Sequence, residues 1–290
     1  QTESPIWRHL KGMKTRIISA AVAIALLVAV LFVSDEHKYI FNAMVSVLSS
    51  LAVLEIFSVT KNMKHKPLVV AGVIWAILIP FMGVSLLKPY LDVIVFAFLV
   101  ITLAYMIFKH QSIELRDVGL LFMLTTLVPV GFSMLVGLRD LGLSATFGMA
   151  ERDGMFLLLT AFCCCWLADT GAYFTGRLLG KHKLAPTISP NKTVEGFVGG
   201  ILAAILGMLL FCVILDLAFG FTVSYLNALA YGIFGSLAAV FGDLIFSAIK
   251  RQTGIKDYGN LIPGHGGILD RFDSVIYTAP LCYALLHFLG

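Results

Sequence analysis

The chain has 290 residues, 59% of them hydrophobic and only 13% charged, with a mean hydropathy of +0.93 and a formal net charge of +4. A soluble domain carries about 25% charged residues, so a large water-soluble domain is excluded and an integral membrane protein is indicated. The apolar stretches are continuous rather than alternating, so they read as helices and not as porin-type strands. The net charge is modest and its distribution matters more than its sum; no nucleic acid is expected as a partner.

Residues 1–16 are mixed and polar and are expected to form a cytoplasmic N-terminal segment, with Met13-Lys14-Thr15-Arg16 reading as a natural start. No cleavable signal peptide is expected, because the first apolar run continues too long and lacks a small-residue cleavage site. About nine membrane helices follow, over 17–34, 39–60, 67–87, 90–108, 118–138, 154–176, 196–219, 223–249 and 268–289. Each is near the roughly 20 residues that a bilayer core requires. The fold class is therefore all-α and polytopic. Residues 17–150 are expected to hold N-terminal membrane helices and 151–290 a C-terminal catalytic region. Pro80, Pro129 and Pro280 fall inside spans, which membrane helices tolerate when neighbours satisfy the freed carbonyls. The five cysteines show no metal-ligand spacing and read as packing residues, as do Trp75 and Trp166. His65 and His110 lie in basic loops and are expected to be solvated.

Lys and Arg orient the chain. With the N-terminus in the cytoplasm, only Lys38, Lys88, Arg139 and Arg152 of the 21 basic residues fall on the far side. The positive-inside rule therefore selects N-in and C-out. In that topology Asp169 and Asp243 each lie about 10 Å inside a span by helical rise. Asp270 and Asp273 start the ninth helix, and Glu55 lies near the cytoplasmic end of the second. Acids from four helices converge on one leaflet. Glu55 is expected to have a structural or supporting role.

Charge so close to hydrocarbon is costly and is usually retained for function. After the sixth span comes a basic loop with Asp169, Tyr173, Arg177, Lys181, Lys183, Ser189, Lys192, Thr193 and Glu195. Its cations and hydroxyls suit a triphosphate. Gly180-Lys181 falls short of a P-loop, since His182 stands where Ser or Thr would be needed. The second constellation is Asp243 with Asp270 and Asp273, the last two on one face if the segment is helical. Mg²⁺ takes oxygen ligands, commonly one or two carboxylates with phosphates and waters. The plainer reading is that these acids pair with Lys250, Arg251 and Arg271. The third is Pro263-Gly264-His265-Gly266-Gly267, whose glycines would let backbone N–H groups approach a phosphate at a helix N-terminus. His265 is open to three roles: phosphate donor, acid for the leaving pyrophosphate, or structural hydrogen-bonder.

The run from Ser247 through Lys250, Arg251, Lys256, Asp257 and the Gly-rich turn to Asp270, Arg271 and Asp273 resembles the signature of the CDP-diacylglycerol synthases (phosphatidate cytidylyltransferases). Asp169, Ala172, Tyr173, Phe174 and Gly176, with Ser189, Pro190, Lys192, Thr193, Glu195 and Gly196, resemble two further patterns of that family. The resemblance is strongest over 166–273; the first five spans match only in character. It implies transfer of CMP from CTP to phosphatidic acid with release of pyrophosphate, in a multi-pass protein of the cell's inner membrane whose site faces the cytoplasm. On this reading Asp243, Lys250, Arg251, Lys256, Asp257, His265, Asp270, Arg271 and Asp273 are the expected catalytic residues. Asp243, Asp270 and Asp273 would hold Mg²⁺, with room for a second cation. Asp169, Tyr173, Lys181, Ser189, Lys192, Thr193, Glu195, Gly264, Gly266 and Gly267 are expected to bind substrate. CTP, phosphatidic acid and membrane lipid are the expected partners, and a homodimer is compatible. The alternatives are a CTP-dependent enzyme acting on another lipid, such as a polyprenol kinase or an archaeal-type lipid cytidylyltransferase, and an ion-coupled transporter. A transporter fits poorly, since its site would lie near the midplane between inverted repeats.

Overall fold

In hydrocarbon a backbone N–H or C=O must find its partner within the protein, so apolar runs of bilayer length become helices. The structure, a computed structural model, describes residues 18–19, 21–31, 33–34, 37, 39–82, 87–140, 154–220 and 224–289. The helices are α1 (Ala21–Leu31), α2 (Tyr39–Val59), α3 (Lys66–Leu78, followed by a 3₁₀ turn Ile79–Phe81), α4 (Leu91–Phe108), α5 (Leu115–Asp140), α6 (Gly154–Leu179), α7 (Val194–Phe219), α8 (Tyr225–Thr253) and α9 (Leu269–Leu289). Between α6 and α7 stands a hairpin of β1 (Lys183–Ala185) and β2 (Ser189–Thr193). Among the described residues, 7 helices are long and apolar enough to cross a membrane, namely α2 and α4 to α9. The first and third expected spans appear as the shorter apolar helices Ala21–Leu31 and Lys66–Phe81. The protein is thus an all-helical, polytopic membrane protein apart from the hairpin, which lies in the basic loop after the sixth expected span. The expected N-terminal segment 1–16 lies outside the described residues.

The chain divides into two compact units, Gln1–Ser133 with Ile255–Arg271, and Met134–Gly254 with Phe272–Gly290. In the first, Trp75 of α3 stacks on Phe98 of α4 (ring centroids 4.8 Å), and Phe98 on Phe122 of α5 (5.6 Å). Trp75 is indeed a packing residue. Pro80 ends α3, and α2 satisfies carbonyls of that last turn: Ser46 Oγ donates to Ile77 O (2.9 Å) and Asn42 Nδ2 to Pro80 O (2.8 Å). His65 corrects an expectation. It is buried, with Nδ1 3.0 Å from the Tyr105 hydroxyl, because the turn before α3 folds back onto α4.

The second unit is built on close helix contact through small residues, as membrane interfaces require. A Cβ added to Gly171 of α6 would lie 2.3 Å from the Ala203 Cβ of α7, and one on Gly200 would lie 2.7 Å from the Ala168 carbonyl. On α8, a Cβ at Gly232 would meet the Ile205 backbone at 2.7 Å and one at Gly242 the Asp273 carbonyl at 2.6 Å. The ends of α7 and α8 are capped in matching ways. Thr193 and Ser224 accept N–H bonds at the starts, and Gly220 and Gly254 adopt φ of 70° and 72° at the ends. All five cysteines are free thiols, four of them buried.

Gly200→Leu is expected to destabilise the protein by about 1–3 kcal/mol or more, because overpacking against backbone cannot relax. Gly119→Ala, where an added Cβ meets nothing within 4 Å, should be neutral or slightly stabilising. Thermal unfolding in detergent compares the two; equal effects would show that the helix contacts are looser than described.

Candidate functional site

In the second unit the charges gather around α8. Asp243, Ser247 and Lys250 follow at spacings of four and three, so they share one face of that helix. Asp243 uses both carboxylate oxygens: Lys192 Nζ of β2 lies 2.5 Å from Oδ2, and Ser247 Oγ donates to Oδ1 at 3.1 Å. The ion pair carries the hairpin onto an acid within a membrane helix. Asp273 of α9 accepts from its neighbour Ser274 N at 2.8 Å, and Asp243, Asp169 and Lys250 are near enough for their charges to act on it. Asp169, Asp243 and Asp273 come from α6, α8 and α9, so the second unit collects acids from three helices.

The hairpin is held as firmly as it is charged. Glu195, in the first turn of α7, accepts from the backbone N–H of Lys181 (3.0 Å) and His182 (3.2 Å), and its Oε1 lies 2.6 Å from His182 Nδ1. Thr193 caps α7 by accepting from Gly196 N at 3.1 Å. Arg251, at the end of α8, donates Nε to the Ile188 carbonyl in the hairpin turn at 3.1 Å. Tyr173 lies on the exposed last turns of α6, where Arg177 donates to its hydroxyl at 2.8 Å. Lys181 and Lys183 are exposed, and Ser189 opens β2 half-buried. The Glu195 and Thr193 side chains therefore shape the loop by accepting backbone N–H bonds, while the Lys181 and Lys183 side chains are exposed.

The first unit holds the signature loop. Ile262 N donates to Gly266 O at 2.9 Å and His265 N to Ile262 O at 2.9 Å, closing a tight turn. Gly264 and Gly266 have φ of 77° and 88°, a region where side chains other than glycine are strained. His265 Nδ1 shares a 2.8 Å hydrogen bond with Ser19 Oγ, which also reaches the Pro263 carbonyl at 3.1 Å. Nδ1 thus takes part in a structural hydrogen bond, one of the three roles open to His265. Glu55 of α2 accepts from Ile268 N (2.8 Å) and Leu269 N (2.9 Å), the opening N–H groups of α9. Asp270 Oδ2 accepts from Tyr258 N (2.7 Å) and Gly267 N (3.0 Å). Lys256, Asp257 and Arg271 are exposed.

Two expectations change in consequence. The N–H groups of Gly267, Ile268 and Leu269 do not await a phosphate. The protein's own carboxylates already hold them, because a helix N-terminus attracts the nearest anion. Asp270 belongs to the first unit, where its Oδ2 is committed to two backbone donors, whereas Asp243 and Asp273 belong to the second. Glu55 bears out its expected structural role, though its partners were invisible. Its one sequence signal was an acid alone in an apolar helix.

The fit of a divalent cation rests on donor chemistry. Among the described residues no group of three or more His, Cys, Asp and Glu could hold a metal ion by itself. Mg²⁺ does not demand one, since it takes one or two carboxylates and completes its shell with water and substrate phosphates. Asp243 and Asp273 offer carboxylate oxygens, the kind of donor Mg²⁺ takes.

The chain belongs to the Cytidylyltransferase family, whose pattern matches residues 14–289. It is 33% identical over 274 residues to a phosphatidate cytidylyltransferase of Staphylococcus saprophyticus, covering 94% of this chain and 99% of that protein. It is also 33% identical over 281 residues to the phosphatidate cytidylyltransferase of Bacillus subtilis, covering 94% and 97% of the two chains. A third such relative, from Staphylococcus aureus, is 34% identical over 279 residues.

Glu55→Gln should break the cap on α9, because an amide presents a donor where the carboxylate accepted twice. Two charge-assisted bonds are involved, each contributing roughly 1.5–3 kcal/mol, so exchange of the Ile268 and Leu269 amides is expected to speed at least about tenfold. Unchanged protection would show that the contact is dispensable. For the hairpin, Lys192→Ala should lower the unfolding temperature more than Lys192→Ala combined with Asp243→Asn, with a coupling of about 1–3 kcal/mol. Additive effects would mean that the pair is not made.

Proposed function

We propose that this protein is a phosphatidate cytidylyltransferase that makes CDP-diacylglycerol and pyrophosphate from CTP and phosphatidic acid. The observation that carries the reading is membership of the family over nearly the whole chain, together with an acid-and-lysine cluster where that chemistry needs charge. The lipid phosphate is already an anion at neutral pH, so no strong general base is required. One of its oxygens forms a bond to the α-phosphorus of CTP. The bond from that phosphorus to the oxygen bridging to the β-phosphate breaks, and pyrophosphate carries the electron pair away.

The obstacle is that two anions must meet. The protein's task is to position them and offset their charge. Lys192 and Lys250 are the cations beside Asp243 and Asp273, and the exposed Lys181 and Lys183 extend that positive surface toward a triphosphate. Asp243 and Asp273 would hold Mg²⁺, which when bound would supply positive charge against the phosphates; a second cation is compatible. Arg251 braces the hairpin through one nitrogen, and its remaining donors suit a phosphate. Lys256 and Arg271 remain proposed phosphate ligands on the strength of the signature. We place the N-terminus and the reaction on the cytoplasmic side of the inner membrane, with nine crossings, because that topology segregates the basic residues and lets soluble CTP reach a membrane-bound lipid.

The test is incubation of purified protein with α-³²P-labelled CTP, Mg²⁺ and phosphatidic acid, followed by lipid extraction and pyrophosphate assay. Labelled lipid with equimolar pyrophosphate is expected, and Asp273→Ala should reduce turnover about a hundredfold or more while the protein stays folded. Label transfer only to another lipid acceptor, or none at all, would overturn the assignment.

A further inference from the structure

Beside the charged cluster runs a groove of about 450 Å³ lined by Leu184, Phe197, Phe234, Leu237, Phe241 and Leu244 among others, all apolar. We propose that this groove holds an acyl chain of the lipid substrate, so that Leu237 and Ala238 on its wall set which chain lengths the enzyme accepts. The inference rests on the cytidylyltransferase reading and extends it to the part of the lipid far from the reaction.

Three observations select this occupant. First, the groove adjoins the charged cluster. Leu244 follows Asp243 directly in α8, Leu184 belongs to the strand that pairs with the Lys192 strand, and Phe197 lies two residues beyond Glu195. Second, its direction suits a lipid. From Leu244 back to Phe234 is about 15 Å along α8 at helical rise, leading from the Lys192–Asp243 pair into the apolar middle of a membrane helix. A molecule with a phosphate at one end and a hydrocarbon tail at the other matches that gradient. Third, the lining rejects the other substrate. Cytosine needs hydrogen-bond partners, and burying its polar edge against apolar walls would be unfavourable. Phe241 and Phe234 are 58% and 47% exposed, so the groove opens laterally where a chain can slide in from the bilayer.

The experiment measures kcat/KM for dioleoyl and for dihexanoyl phosphatidate in mixed micelles at saturating CTP and Mg²⁺. It compares wild type with Leu237→Trp and Ala238→Phe, each of which fills the groove, and with Leu206→Trp, on a lipid-facing stretch of α7 outside it. Methylene contacts in a hydrophobic pocket discriminate by about tenfold or more. The ratio of long- to short-chain kcat/KM is therefore expected to fall about tenfold in either groove variant and to stay at the wild-type value in Leu206→Trp. Because the readout is a ratio within one preparation, a partly destabilised variant still reports, and two independent fillings guard against one that does not fold. An unchanged ratio in both would overturn the proposal and leave the groove to bulk lipid or a second copy of the chain. A wild-type protein inactive on both lipids would instead sink the cytidylyltransferase reading.

Discussion

A carboxylate inside an apolar helix is tolerable only with a partner that its surroundings cannot remove. This protein places several acids in such helices, and among the described residues the hairpin and the signature loop supply partners to them. Asp243 receives a lysine from the hairpin and a hydroxyl from its own helix. Glu55 and Asp270 receive backbone N–H groups from the signature loop. In each case the compensation also fixes a chain segment that would otherwise be a long connection.

That double use explains why the two loops have definite shapes. The hairpin is short and irregular in register, which alone would leave it marginal. It is secured at its start by Glu195, at its turn by Arg251, and near its end by Lys192 on Asp243. The signature loop is secured by Glu55 and Asp270 bonding to successive backbone groups, with Gly264 and Gly266 supplying the left-handed turns between. Glycine serves a second purpose at Gly259 and Gly267, where a side chain would intrude on the Glu55 carboxylate at 2.8 and 2.4 Å.

For the chemistry, the consequence is a division of labour among residues that look alike in sequence. Asp270 and Asp273 are three residues apart on α9, yet one organises a loop and the other stands among charges of the second unit. Lys192 and Lys181 are both basic residues of one loop, yet Lys192 is engaged with Asp243 and the Lys181 side chain is exposed. In the proposed reaction, Asp273 would hold a cation and Lys181 would meet phosphate. The apolar groove of the second unit is the proposed place for the tail of a substrate that is mostly hydrocarbon.

The sequence by itself determined the class of the protein and the neighbourhood of its site. Apolar runs of bilayer length read directly as helices, because hydrocarbon permits little else, and the signature motifs carry the resemblance to the family to which the chain belongs. Of the residues expected to pack, Trp75 and four of the five cysteines are buried, whereas Trp166 stands half-exposed on α6. What the sequence could not state was the partner of each charge. Pairings such as Glu55 with Ile268 and Leu269, or Lys192 with Asp243, join residues far apart in the chain, and no local pattern encodes them. The same holds for His65, which a basic loop disguises as solvated and only the fold buries against Tyr105. Local periodicity fixes which segments are helices. Which side chain neutralises which is decided by how those helices and loops pack, and so by the tertiary structure alone.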